Sequence, residues 1–381
     1  MEDVAIIGVG LHPFGRFPGK SAINMGVEAT HTALRDAGLH WDDVQIAVGG
    51  SSEISSVDAM VNHVGMTGVP FYNVKNGCAT AATALTMASN AIRFGQADIG
   101  IAIGIDKHPA GAFTGEPGSM DLPDWYGEAG FFLTVQYFAM KIHRYMYEHD
   151  ITERTLAKVA AKAFRNGSRN PNAFRRKPLT EDQILESPYL NYPLRQYMYC
   201  APDEGAAAVL MCRADRAKEF TDTPIYLKAS VVKTRKLGAF EVLSPSMPTE
   251  RVDGPTVFAS KAAYEMAGIG PEDVDVAQIQ DTEAGAEVMH MAENGFCQDG
   301  EQNIMLETGA TEIDGRIPIN TDGGLIANGE PIGASGLRQV YELVNQLRGT
   351  AGERQVPNNP KVGYAQLYGA PGVSGVSILS R

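Results

Sequence analysis

Hydrophobic and polar positions alternate along this chain between two periods. Val4 to Val9 is an unbroken apolar run, the pattern of a strand buried on both faces, and a turn follows around His12-Pro13-Phe14-Gly15. A helix is predicted from about Ala22 to Asp36, then a strand from Gln45 to Val48. In the second half a helix is predicted from about Gly254 to Met266, then a strand from Asp275 to Ile279. The connections match. Ala37-Gly38 and Ala267-Gly268 are 230 residues apart, and the acidic-Asp-Val triplets Asp42 to Val44 and Glu272 to Val274 keep that offset. Repeated blocks in the same order predict duplicated α/β units, with helices covering mostly parallel or mixed sheets.

A second pair of landmarks sits 252 residues apart. Asn76-Gly77-Cys78 opens the run Ala79-Thr80-Ala81-Ala82-Thr83-Ala84, and Asn328-Gly329-Glu330 opens Pro331-Ile332-Gly333-Ala334-Ser335-Gly336. Each run reads as the start of a small-residue helix buried in a central layer, followed by a strand. A thiol and a carboxylate thus hold equivalent places. If the halves pack about a pseudo-twofold axis, the two side chains meet at one buried site. A cysteine at a helix start lies near free N–H groups and the positive end of the helix dipole, which favour a thiolate and can hold an acyl oxyanion. A carboxylate amid Gly, Ala, Pro and Ile is costly unless paired, protonated or used.

Residues from about 107 to 215 do not repeat and read as an insertion after the strand Ile99 to Ile105. The division expected is 1–106 plus about 200–220 as the first half, 107–199 as the insertion, and 221–381 as the second half. Arg154, Lys158, Lys162, Arg165, Arg169, Arg175, Arg176 and Lys177 fall in a stretch with no acidic residue. In a chain of net charge −13 that reversal suits either a polyanionic ligand or a solvated helix face. The overall charge argues against nonspecific nucleic-acid binding. No apolar run reaches the ~18 residues that span a bilayer. Cys78, Cys200, Cys212 and Cys297 show neither metal nor disulfide spacing, so a reduced, cytoplasmic, metal-free protein is expected. Gly8-Val9-Gly10 lacks the third glycine of a dinucleotide fingerprint at the required place.

With these motifs the chain resembles the thiolase superfamily, and most of all the sterol-carrier-protein-type thiolases and their lipid-transfer-protein-like relatives. Asn76-Gly77-Cys78-Ala79-Thr80, the Asn320-Thr321-Asp322-Gly323-Gly324 turn and Tyr368-Gly369-Ala370-Pro371-Gly372-Val373 carry the resemblance. It implies a five-layered αβαβα fold, usually dimeric, whose inserted loop domain holds coenzyme A. Arg175, Arg176 and Lys177 would then meet the CoA phosphates. It also implies that Cys78 is the acyl-accepting nucleophile. Three departures stand out. The Gly-His-Pro motif reads Gly329-Glu330-Pro331, a second motif reads Gln280-Asp281-Thr282-Glu283, and no cysteine follows Cys297.

Glu330 is the expected base if burial raises its proton affinity, Gln280 a donor to an acyl or enolate oxygen, and Tyr368 the replacement acid/base, with either Gln366 or Tyr368 at the place of the family's second cysteine. The expected function is acyl transfer that makes or cleaves a C–C bond next to a CoA thioester. The alternatives are a retro-aldolase acting on a β-hydroxyacyl-CoA, such as a steroid side chain, and a noncatalytic acyl-CoA or lipid-binding subunit. The resemblance further implies a homodimer and a small OB-fold, zinc-ribbon partner protein.

Overall fold

The protein is described from a computed structural model covering residues 3–111, 113, 115–241 and 252–381. Eleven strands are present among these residues: β1 Val4–Gly15, β2 Ile46–Gly50, β3 Phe71–Val74, β4 Ile99–Lys107, β5 Tyr189–Asn191, β6 Leu194–Arg195, β7 Glu204–Arg213, β8 Ile225–Thr234, β9 Val276–Gln278, β10 Val362–Gly369 and β11 Val373–Ser380. Nine of them form one mixed sheet in the order β3-β2-β4-β7-β1-β8-β11-β10-β9, and β5 and β6 form a small hairpin.

The order shows the duplication. From the centre outward, β1-β7-β4-β2 in one half corresponds to β8-β11-β10-β9 in the other. Strand β3 pairs in parallel with β2 from Ala47 to Phe71, and an isolated parallel bridge from Ala277 to Ile319 takes the equivalent place beside β9. The halves join where β1 and β8 run antiparallel through the pairs Ala5–Tyr226 and Ile6–Ile225.

Helices Thr80–Arg93 and Ser335–Arg348 lie between the half-sheets and pack on strands of both. Their inward positions are small or aliphatic (Ala81, Ala84, Leu85, Ala88; Leu337, Val340, Leu343, Val344), so two helices and two sheets share one core. Helix Ala22–Asp36 covers the outer face of the first half-sheet, and Pro255–Ala267 covers the outer face of the second. These are the five layers expected. Ser21 caps Ala22–Asp36 through a bond from Asn24 N, and Gly268, in the left-handed region, ends Pro255–Ala267.

Of the two sheet types expected, the mixed one is present: the central strands β4-β7-β1-β8-β11-β10 pair antiparallel, and the outer pairs are parallel. One expectation changes: the long central helices begin later than the Asn-Gly pairs suggest. Cys78 lies just before the N-cap Ala79. Glu330 lies in an extended link between the short helix Gly324–Asn328 and Ser335–Arg348, five residues before the latter begins.

The 107–199 segment contributes helices Thr134–His149 and Glu153–Ser168, which pack on Ala284–Glu293 of the second half. A buried ion pair fixes this contact: Lys162 Nζ donates to Glu287 Oε1 at 2.5 Å, and Asn320 Nδ2 donates to Glu287 Oε2 at 2.8 Å. No helix among the described residues is long and apolar enough to cross a membrane.

Candidate active site

Cys78 and Glu330 meet, as the paired landmarks require. The Glu330 carboxyl group is completely buried and lies beside the Cys78 thiol, close enough for its charge to act on the sulfur. Both half-sheets therefore contribute to one locus. Cys78 as a residue is half-buried, whereas Glu330 is wholly enclosed.

The approach of Cys78 depends on two glycines in facing turns. Gly77 has φ of +54°, and a β-carbon there would lie 2.2 Å from Ala370 O. A β-carbon on Gly369 would lie 2.7 Å from both Cys78 N and Ala79 N. Only bare backbone lets the β10–β11 turn close on the cysteine loop. Asn76 ties the loop to its helix, its N–H donating to Thr80 Oγ1 at 2.7 Å and its Nδ2 to Thr83 Oγ1 at 3.0 Å.

Glu330 is held by backbone. Its N–H donates to Ala201 O at 2.9 Å, and Glu330 forms a parallel bridge with Pro202. The preceding helix Gly324–Asn328 is capped by Asp281, which accepts from Leu325 N at 2.6 Å and Ile326 N at 3.2 Å. Beyond Glu330, Asp106 at the end of β4 accepts from Gly333 N at 2.5 Å and from Ser51 Oγ at 2.6 Å, linking the halves again. His108 Nε2 accepts from Ile332 N at 3.3 Å.

Gln280 is beside Glu330. Its Nε2 donates to Glu330 Oε1 at 3.3 Å and to Thr282 Oγ1 at 2.5 Å. Its amide hydrogens thus orient the carboxylate, where a donor to a substrate oxygen was expected.

A further thiol enters the site. Cys200 Sγ donates to Glu330 Oε2 at 3.3 Å and is partly exposed. Its segment is stitched between two others: Cys200 N donates to Thr282 O at 2.9 Å, and Tyr199 bridges Glu283. Next to it, Asp203 is fully buried with neither carboxyl oxygen hydrogen-bonded among the described residues. The sequence singled out none of Cys200, Asp203, Asp106 or His108. Their only sequence signal is clustering around the Glu204-Gly205-Ala206 strand start and the β4 end, which says nothing about what lies opposite.

Tyr368 is elsewhere. Its hydroxyl donates to Glu241 Oε2, and its ring lies against His290 and under Lys141. The acid/base role expected for Tyr368 at the thioester is therefore corrected to membership of a separate buried cluster. The reason is strand parity. Gln366 and Tyr368 share the β10 face that meets Thr256 and Glu241, whereas Leu367 meets Gly336 of the central layer and Gly369 meets the Cys78 loop.

The basic stretch also divides. Lys162 is paired with Glu287, Arg165 with Glu312, and Arg154 with Glu181 and Asp182. Arg175 donates to Tyr199 O at 2.6 Å and Ile326 O at 3.0 Å, so it braces the backbone on either side of the site. Arg176 and Lys177 are exposed, with no ion pair among the described residues.

The electrostatics follow from burial and one central charge. Burial pushes the Cys78 thiol well above its ordinary value, and the negative Glu330 pushes it further; the same holds for Cys200. Burial raises Glu330 too, opposed by the nearby Cys78 thiol and by the bonds from Cys200 and Gln280. Burial raises Asp203 strongly, offset in part by Arg16. At Asp106 burial is overcome by His108 and the surrounding donors, and the carboxyl stays below its usual range. One carboxyl group thus lies between two thiols. Such a cluster can move a proton to or from a thioester substrate.

The chain was compared with known proteins. The thiolase N-terminal domain matches residues 4–177, and a domain described as thiolase C-terminal domain-like matches 246–381. An acetyl-CoA acetyltransferase of Methanothermobacter thermautotrophicus is 36% identical over 399 aligned positions, covering 100% of both chains. Sterol carrier protein 2 of Gallus gallus is 31% identical, covering 93% of this chain and 67% of the relative. A solved Ltp2-ChsH2(DUF35) aldolase superposes with a TM-score of 0.88 at 24% identity, covering 100% of this chain and 98% of its own. The chain belongs to the thiolase family.

Proposed function

We propose that this chain makes or breaks a C–C bond next to a CoA thioester by acyl transfer through Cys78. The observation that carries the reading is the juxtaposition of the Cys78 thiol and the buried Glu330 carboxyl. Glu330, whose proton affinity burial has raised, accepts the Cys78 proton as sulfur attacks the acyl carbonyl. No histidine is needed for that transfer. The negative charge moves from the Glu330 carboxylate to the acyl oxygen, and Gln280 keeps the protonated carboxyl in place. The family's acetyl-CoA acetyltransferase relative supports the reaction class.

Arg176 and Lys177 serve the CoA phosphates, while Arg175 braces the site. The protein works as a homodimer on acyl-CoA, without a metal, in a reducing compartment such as the cytoplasm that keeps its cysteines free. The solved aldolase pairs Ltp2 with ChsH2(DUF35), which supports an equivalent small partner here.

A second reading, retro-aldol cleavage of a β-hydroxyacyl-CoA, is favoured by the raised thiol values: a buried carboxylate can remove a hydroxyl proton with no thiolate formed. Incubation with acyl-CoA and intact-mass analysis tests the two. An acyl adduct mapped to Cys78 is the result expected. Its absence, together with release of an aldehyde or ketone from a β-hydroxyacyl-CoA, would replace acyl transfer by the aldolase reading. Binding without either turnover would leave a carrier role.

A further inference from the structure

The family comparisons and the paired-landmark argument give no role to Cys200, yet the structure places its thiol on Glu330. Three contacts fix it there: Cys200 N to Thr282 O at 2.9 Å, Glu330 N to Ala201 O at 2.9 Å, and the Pro202–Glu330 bridge. Sγ then donates to Glu330 Oε2 at 3.3 Å. The other expected acid/base, Tyr368, is committed to Glu241, and His108 is engaged by Ile332 N, Glu53 and Asp106. Cys200 is half-buried on the same carboxyl group that Cys78 faces, so the two thiols border one locus.

We infer that Cys200 is a second catalytic thiol, which exchanges the proton at the α-carbon of the thioester while Cys78 carries the acyl group. The role rests on the acyl-transfer reading, and its proton balance closes. In the cleavage direction the Cys78 proton passes to Glu330, and sulfur bonds to the β-carbonyl carbon. The Cα–Cβ bond breaks, and its electron pair takes the proton of the Cys200 thiol at Cα. Protonated Glu330 returns a proton to the Cys200 sulfur across the 3.3 Å bond. In the second half, CoA thiol loses its proton to Glu330 and attacks the acyl group. Cys78 leaves as thiolate and recovers that proton. No oxidant, reductant or net proton is required.

Cys200→Ala, with Cys200→Ser as the near-isosteric control for folding, tests this. Three signals are read on the full chain: Cys78 acylation by acyl-CoA, exchange of α-hydrogens with D2O, and C–C cleavage. Acylation is expected within about threefold of the parent, with exchange and cleavage down by roughly 10²–10⁴, the range for loss of a general acid/base. A purely structural role would lower all three together. C–C cleavage within threefold of the parent, or equal loss of acylation and exchange, would overturn the assignment. Should the parent form no adduct while Cys200→Ala still abolishes α-exchange, the acyl-transfer reading fails and the proton role of Cys200 stands.

Discussion

Replacing Glu330 by Gln should make Cys78 more reactive and the enzyme less active. The glutamate charge raises both thiols, Cys78 and Cys200. A unit charge at ~4 Å contributes about 4 kcal/mol at an effective dielectric of ~20. The amide carbonyl of Gln still accepts a hydrogen bond and offsets part of this, so the thiol falls toward its ordinary value. At pH 7 the thiolate fraction then rises ~10- to 100-fold, because each unit of pKa is tenfold below the midpoint. Timed iodoacetamide labelling, read peptide by peptide, measures it. C–C bond activity should fall ~10²–10⁴-fold, because the proton acceptor is gone. Labelling of Cys78 in Glu330→Gln that is equal to or slower than in the parent would refute the claim that this carboxylate governs the thiol.

Other consequences are as direct. Gly369→Ala places a methyl 2.7 Å from Cys78 N, so the β10–β11 turn must retreat, and kcat should drop ~10²-fold with a lowered melting temperature. Lys162→Met strands the buried Glu287, and urea unfolding should show a loss of about 3–5 kcal/mol. Glu283 is pushed up to about 8 by burial, against an ordinary 4.5. Its stabilising, protonated form is complete below pH 4.5 and is lost as pH rises through 8, up to roughly 5 kcal/mol. Glu283→Gln should therefore gain melting temperature over the parent at pH 9 and little at pH 5. Arg176→Ala with Lys177→Ala should raise KM about tenfold for a CoA thioester and leave a truncated pantetheine thioester unchanged, a difference of ~1.4 kcal/mol.

The architecture was legible because duplication repeats its own evidence. The matched Ala-Gly connections and acidic-Asp-Val triplets set the helix ends, and Ala22–Asp36 was read to the residue. Cys78 and Glu330 were legible for the same reason, since equivalent positions on a pseudo-twofold axis meet. Cys200 was not. It belongs to the nonrepeating segment, and only a long-range bridge between Pro202 and Glu330 brings it in. Arg175 looked like its exposed neighbours, because a run of basic residues does not reveal which one turns toward carbonyl groups. Tyr368 failed on parity: one residue decides which side of β10 a ring occupies.

The seam between β1 and β8 gives the molecule a history as well as a shape. Sulfur is borne by one half and the acidic oxygen by the other, so neither half alone assembles a reactive pair. An ancestor with identical halves would have presented the same group twice, facing itself across the axis. Specialisation after duplication turned that mirror-like redundancy into a division of labour, and two separately expressed halves should regain chemistry only when they reassociate.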